Sequence, residues 1–239
     1  MHTSNIKKMY AFNFCINLHF IGGVLVPFFT DWGRLNYTQI MLLQAWFSIC
    51  LFLLEIPTGA VADRFGRKVS LLLGVCTLGI AVCIYGSIPS FAVFMLGEFL
   101  FATAMALMSG ADEALLYDSL VGEGQEKQAK TILGRFISAS RLAMMLSAPL
   151  GSLIAKYLGL QETMRLIVIP CFLAFILAAL LYEPEYRKPE EKESLSYTQT
   201  LVRGATGLVK NRILRIMALD AVPVSVLIFY LIWLYQPLL

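Results

Sequence analysis

Glu55-Ile56-Pro57-Thr58-Gly59, followed by Asp63-Arg64-Phe65-Gly66-Arg67-Lys68, decides how this chain is read. Apolar sequence of helical length lies on both sides, and a turn with four charges and one glycine separates the two. A chain that crosses a bilayer reverses direction in polar loops outside the hydrocarbon, because backbone groups inside it find no water. Gly66 suits a turn with positive φ, and Gly59 suits close approach of a neighbouring helix. Arg64, Arg67 and Lys68 place the loop on the cytoplasmic side.

The rest of the chain agrees with that reading. Its 239 residues are 58% hydrophobic, with a mean hydropathy of +0.72, far more apolar surface than a soluble core of this size needs. Runs of about twenty apolar residues recur, as bilayer crossings require. They predict an all-α polytopic protein with spans at 10–30, 38–62, 69–87, 91–117, 131–157, 164–182 and 213–236. The organisation is then a six-helix bundle over 1–182, a polar linker over 183–212 and a further helix within 213–239. The first span follows a short tail bearing Lys7 and Lys8 and lacks a small-residue cleavage site, so it reads as a retained helix.

Positive charge orients the spans. With a cytoplasmic N-terminus, fifteen of the nineteen Lys and Arg residues fall in inside segments, while Arg34, Lys156 and Arg165 fall outside and Arg141 lies within the fifth span. The cell (inner) membrane is the expected location. The net charge of +3 reflects this loop bias and leaves no nucleic-acid footprint. Cys15, Cys50, Cys76, Cys83 and Cys171 sit in apolar segments without a CxxC pair, and read as small buried hydrophobes rather than disulfides or metal ligands. No nucleotide, haem or metal motif is present, so no cofactor is expected. The linker begins with Pro184, Pro189 and charge, then spaces Leu195, Leu201, Val202, Leu208 and Val209 so that part of it could lie on the membrane surface. A solvated basic linker is the equal alternative.

Glu55–Gly59 with Asp63-Arg64-x-Gly66-Arg67-Lys68 resembles the loop between the second and third helices of major facilitator superfamily transporters. Ser109-Gly110-Ala111-Asp112-Glu113-Ala114-Leu115-Leu116-Tyr117-Asp118 resembles a segment of a bacterial subgroup with the same Glu-Ile-Pro-Thr-Gly form. The resemblance implies a six-helix N-terminal bundle plus the first helix of a second half, and gating by Gly59, Asp63, Arg64, Gly66, Arg67 and Lys68. It implies that Arg67 pairs with Asp118 or Asp112, and that Asp63 caps a helix of the second half. Two positions depart from the drug–proton antiporter pattern. Glu98 stands where many carry arginine, and the fifth-helix glycine-proline motif survives only as Ala148-Pro149-Leu150-Gly151.

A charge at the bilayer centre costs about 2.5–3.5 kcal/mol on insertion scales, so each one needs a partner or a wet cavity. Glu55, Glu98, Asp112, Glu113, Arg141 and Asp220 are such charges. Helical spacing puts Gln44, Ser48 and Glu55 on one stripe of the second span. It puts Glu98, Ala102, Met105, Ser109 and Asp112 on one stripe of the fourth, with Glu113 turned by about 100°. Gly134, Ser138, Arg141, Met145, Ala148 and Ser152 align on the fifth. Arg141 is expected to pair with Glu98, Asp112 or Glu113, either as a structural lock or as part of a proton-carrying site with Glu98 as carrier. Asn13 and Asn17 line a polar cavity or join helices. Their spacing from His19 turns that residue away, as a packing residue. The small-residue rows Ala102, Ala106, Gly110 and Ala114, and Gly151 with Ala155, serve association or packing within the bundle.

These features favour secondary active transport of a small solute by alternating access, as proton-coupled efflux of a drug or metabolite. Its partners would be the lipid bilayer, the solute, protons, and a missing C-terminal half or a second copy. A truncated or partner-subunit half-transporter is the alternative. A remote one is a magnesium-dependent lipid or prenyl enzyme using Asp112, Glu113 and Asp118, which lacks the second acidic helix end such a site needs.

Overall fold

The computed structural model describes residues 3–184, 206–207 and 209–235. Helices account for all regular structure among them. Five stretches are long and apolar enough to cross a membrane: Tyr37–Phe65, Arg67–Tyr85, Phe91–Gly122, Glu126–Leu158 and Leu160–Ala179. They correspond to the second through sixth spans. Two compact units emerge, Met1–Lys188 and Pro189–Leu239.

In the first unit the spans pack side by side in the order second, fourth, third, sixth, first, fifth. The second and fifth therefore stand at the two ends of the series. Leu71, Leu78, Phe94, Leu115 and Leu116 fill the interior. Phe28, Phe29, Trp32, Tyr85 and Phe94 form an aromatic cluster, with Phe29 and Phe94 edge-on at 5.7 Å, a favoured arrangement of ring quadrupoles.

Local chemistry explains the boundaries. Asn36 Oδ1 accepts from the Gln39 backbone N at 2.9 Å, and the Asn36 backbone N donates to Gln39 Oε1 at 3.0 Å. This reciprocal cap starts the second span. Pro57 lies inside that helix, and the neighbouring Thr58 hydroxyl donates back to Leu54 O at 2.7 Å. Gly66, at φ 99°, ends the second span and starts the third.

Three expected spans are not single helices. The first is a long α-helix only over Thr3–Ile16; a 3₁₀ turn at Phe20–Gly23, a short α turn at Leu25–Pro27 and a π turn at Phe28–Trp32 follow. Asn17 donates back to Asn13 O, which occupies helix-end acceptors, and the backbone at Gly23 comes so close to the fifth span that a Cβ there would stand 2.8 Å from Ala148 O. The fourth divides into Phe91–Met108 and Ala111–Gly122 at Gly110, whose φ of 70° lies outside helical backbone. The sixth divides into Leu160–Arg165 and Val168–Ala179.

Ala102 and Ala106 are buried within the unit, and Gly151 is buried against the Phe20 carbonyl, so these small residues serve internal packing. The cysteines are free thiols, but only Cys50 and Cys171 are buried; Cys76 and Cys83 lie on the unit's surface, against the expectation of burial. Apart from its own helix backbone and chain neighbours, no described atom lies within 4 Å of where a Cβ on Gly59 would stand, so the close approach expected there is not made within the unit.

The second unit contains the helix Arg212–Tyr235, with Pro223 inside and Asn211 Oδ1 accepting from the Ile213 backbone N at 3.0 Å. Val209 is exposed, whereas Leu195, Leu201, Val202 and Leu208 of the expected amphipathic stretch lie outside the described residues.

Candidate functional site: a cavity and a bonded loop

The first unit forms a part-open cavity of about 760 Å³, within the usual range for small-molecule sites. Asn13 and Asn17 border it from the first span and Gln44 from the second. Glu98, Ser109, Asp112 and Glu113 border it from the fourth, and Arg141 from the fifth. Glu55 stands beside the rim, where its carboxylate accepts from the Ser109 hydroxyl at 3.1 Å. Asp220 belongs to the second unit.

Glu98 is only 7% exposed. Its Oε1 accepts from the Tyr85 hydroxyl at 2.6 Å and from Gln44 Nε2 at 3.1 Å, which ties the second, third and fourth spans at one carboxyl. Tyr85 in turn stacks on Phe94 within the aromatic cluster. A buried carboxylate needs such bonds, since an unpaired one would not stay charged out of water.

The expected Arg141 pair does not form. No carboxylate oxygen among the described residues lies within 4 Å of it, and the guanidinium instead rests 3.8 Å from Met144 Sδ on an exposed face. The physical reason is helix rotation. Ala143, Ser147 and Gly151 turn inward on the fifth span, which leaves Gly134, Ser138 and Arg141 exposed, with Arg141 at the cavity's edge.

His19 departs from expectation in its direction, not in its packing against a ring. The helix has ended by Ile16, so helical spacing no longer governs it. It borders the same cavity as Asn13 and Asn17, with its ring 5.7 Å from that of Phe101. Helical spacing alone turns Glu113 by about 100° from Asp112. The break at Gly110 brings both to the cavity as the first turn of a new helix, where Asp112 Oδ1 accepts from the Glu113 backbone N at 2.7 Å.

The motif loop is densely bonded. Arg67 donates to the Asp118 carboxylate and, at 2.7 Å, to Ala114 O. Of the two acids open to it, Asp118 is the partner. Glu183 accepts from the Arg67 backbone N at 2.6 Å and from the Lys68 backbone N at 3.3 Å. A carboxylate there satisfies orphan donors and complements the helix dipole. Arg64 lies over the Phe65 ring at 5.5 Å, and Asp63 is exposed.

Sequence reasoning missed three anchors at this end. Besides Glu183, Asn5 Nδ2 donates to Ser119 Oγ at 2.7 Å and to Tyr182 O at 3.0 Å, and Lys8 Nζ donates to Leu180 O at 2.8 Å. The only available signal was polar residues flanking apolar runs.

The comparisons with known proteins agree with this architecture. The Major Facilitator Superfamily profile matches residues 10–239. The vesicular acetylcholine transporter unc-17 of Caenorhabditis elegans is 26% identical over 161 residues, covering 65% of this chain and 29% of that protein. A glucose/galactose transporter of Brucella abortus is 25% identical over 128 residues, covering 52% and 29%. A probable vesicular acetylcholine transporter-A of Danio rerio is 25% identical over 146 residues, covering 61% and 28%. The matched region thus spans under a third of each relative's length. The chain is a multi-pass membrane protein of the major facilitator superfamily.

Proposed function

We propose that this chain forms part of a secondary active transporter that moves a small solute by alternating access, as proton-coupled efflux of a drug or metabolite. Glu98 is the coupling group. The observation that carries the reading is a buried carboxyl in a cavity wall, bonded to the second and third spans and not ion-paired to any cation among the described residues. Gain or loss of a proton there changes what Tyr85 and Gln44 can bond, so the charge state reaches two neighbouring helices. The motif loop, tied through Arg67 and Asp118, would hold one end of the bundle while exposed Asp63 meets a second bundle. That bundle, from a longer chain or another copy, completes the cavity. The names of the relatives include both a charged and an uncharged solute and do not choose between them.

The test is reconstitution into liposomes with an imposed proton gradient and a panel of ethidium, glucose and benzoate. The parent should move one panel member with the gradient. Glu98→Gln should lose gradient-driven movement yet keep solute exchange without a gradient. Asp63→Asn should slow both. A parent and Glu98→Gln with the same pH dependence of transport would contradict the assignment.

A further inference from the structure

The cavity's lining also selects a class of solute, an inference that rests on the transport reading of the same cavity. Each neutral donor group bordering it already donates at least one hydrogen bond to the protein. Asn13 Nδ2 donates to Phe136 O at 2.7 Å, and Asn17 Nδ2 to Asn13 O at 2.8 Å. Gln44 and Tyr85 donate to Glu98. Ser109 donates to Glu55, and Ser140 to Ile137 O at 2.8 Å. The His19 ring is bonded to the backbone of Ile16.

Beyond the second N–H of Asn13 and of Gln44 and the amide oxygens, what remains for a solute is of a different kind. Glu98, Asp112 and Glu113 supply carboxylate oxygens, and Arg141 is the one guanidinium or ammonium among the described lining residues. Among the described residues neither Arg141 nor any of those carboxylates is ion-paired. Between them lie aromatic faces, with Phe47, Phe101 and Phe136 prominent, and the thioethers of Met105, Met108 and Met164.

Three solute classes fit this wall poorly. A sugar needs a row of uncommitted donors, and among the described neutral lining side chains the amides keep one such N–H each on Asn13 and Gln44. An organic anion needs free donors beyond a single arginine. A hard metal ion needs about six oxygens, and no group of three or more His, Cys, Asp or Glu side chains is placed for a metal among the described residues. A bulky, weakly hydrated organic cation needs what is present, namely negative charge at a distance, aromatic faces and polarisable sulfur.

We propose that this cavity binds a lipophilic organic cation, held by Asp112 and Glu113 and by the rings of Phe47 and Phe101.

The experiment measures equilibrium binding to the chain in zwitterionic nanodiscs, with empty discs subtracted. Tetraphenylphosphonium and tetraphenylborate share size and shape and differ in charge sign. The parent should bind the phosphonium saturably and at least about tenfold more tightly than the borate, and Asp112→Asn with Glu113→Gln should weaken it by about tenfold. Arg141→Gln should tighten it about threefold, a gain that misfolding cannot imitate. Absence of saturable phosphonium binding, equal or tighter borate binding, an acidic double variant matching the parent, or weakening by Arg141→Gln would each overturn the proposal. The measurement uses no gradient. Phosphonium binding by a chain that transports nothing would defeat the transport reading and leave the cation site standing. Gradient-driven movement of glucose without phosphonium binding would do the reverse.

Discussion

The motif-loop end and the mid-span cavity each hold an arginine, and the protein treats the two differently. Arg67 is bonded to Asp118 and to Ala114 O, beside a helix start that Glu183 caps. Arg141 borders the cavity with three carboxyl groups, yet forms no ion pair among the described residues and lies 3.8 Å from a methionine sulfur. Polar groups at the loop end are spent on architecture. In the cavity, Arg141, Asp112 and Glu113 form no ion pair among the described residues.

The difference is measurable as stability. Arg67→Ala removes charge-assisted bonds and strands Asp118, and should lower the unfolding free energy of the detergent-solubilised chain by about 2–3 kcal/mol. Gly66→Ala places a Cβ at φ 99°, 2.6 Å from a Glu183 carboxylate oxygen, and should cost about 1–2 kcal/mol. Glu183→Gln keeps the acceptor and loses the charge, for about 0.5–1 kcal/mol, with the loss shrinking in high salt. Arg141→Gln should stay within about 0.5 kcal/mol of the parent. Double-mutant cycles sharpen the contrast. Arg67→Ala with Asp118→Ala should be non-additive by about 1 kcal/mol or more, and Arg141→Ala with Asp112→Ala additive within about 0.5 kcal/mol. Equal coupling in both cycles would break the comparison.

Much of the bundle was legible because hydropathy and charged turns are local. The second, third and fifth spans begin and end within a few residues of their expected positions, and Gly66 has the left-handed backbone its turn suggested. The break in the first span was not legible, because hydropathy runs on through Asn17–Gly23 even though Gly22, Gly23 and Pro27 are signals that helix continuity fails. The site was legible only as a list of polar residues inside apolar runs. Their partners were not, since spacing along one helix leaves its rotation against neighbours undetermined. Arg141 shows this most plainly. Asn5 with Tyr182 and Arg67 with Glu183 meet across more than a hundred residues, where no local pattern announces the contact. Tyr85 and Glu98 face each other across a helix hairpin, which makes their bond visible only once both helices are placed.

The central claim is that one buried carboxyl couples protons to solute. Its most direct test is proton movement itself, followed with a pH-sensitive dye trapped in proteoliposomes while the transported panel solute is added outside. The account predicts a solute-triggered proton flux in the parent and none in Glu98→Gln, although that variant still binds and exchanges the solute. A flux that survives Glu98→Gln undiminished would contradict it.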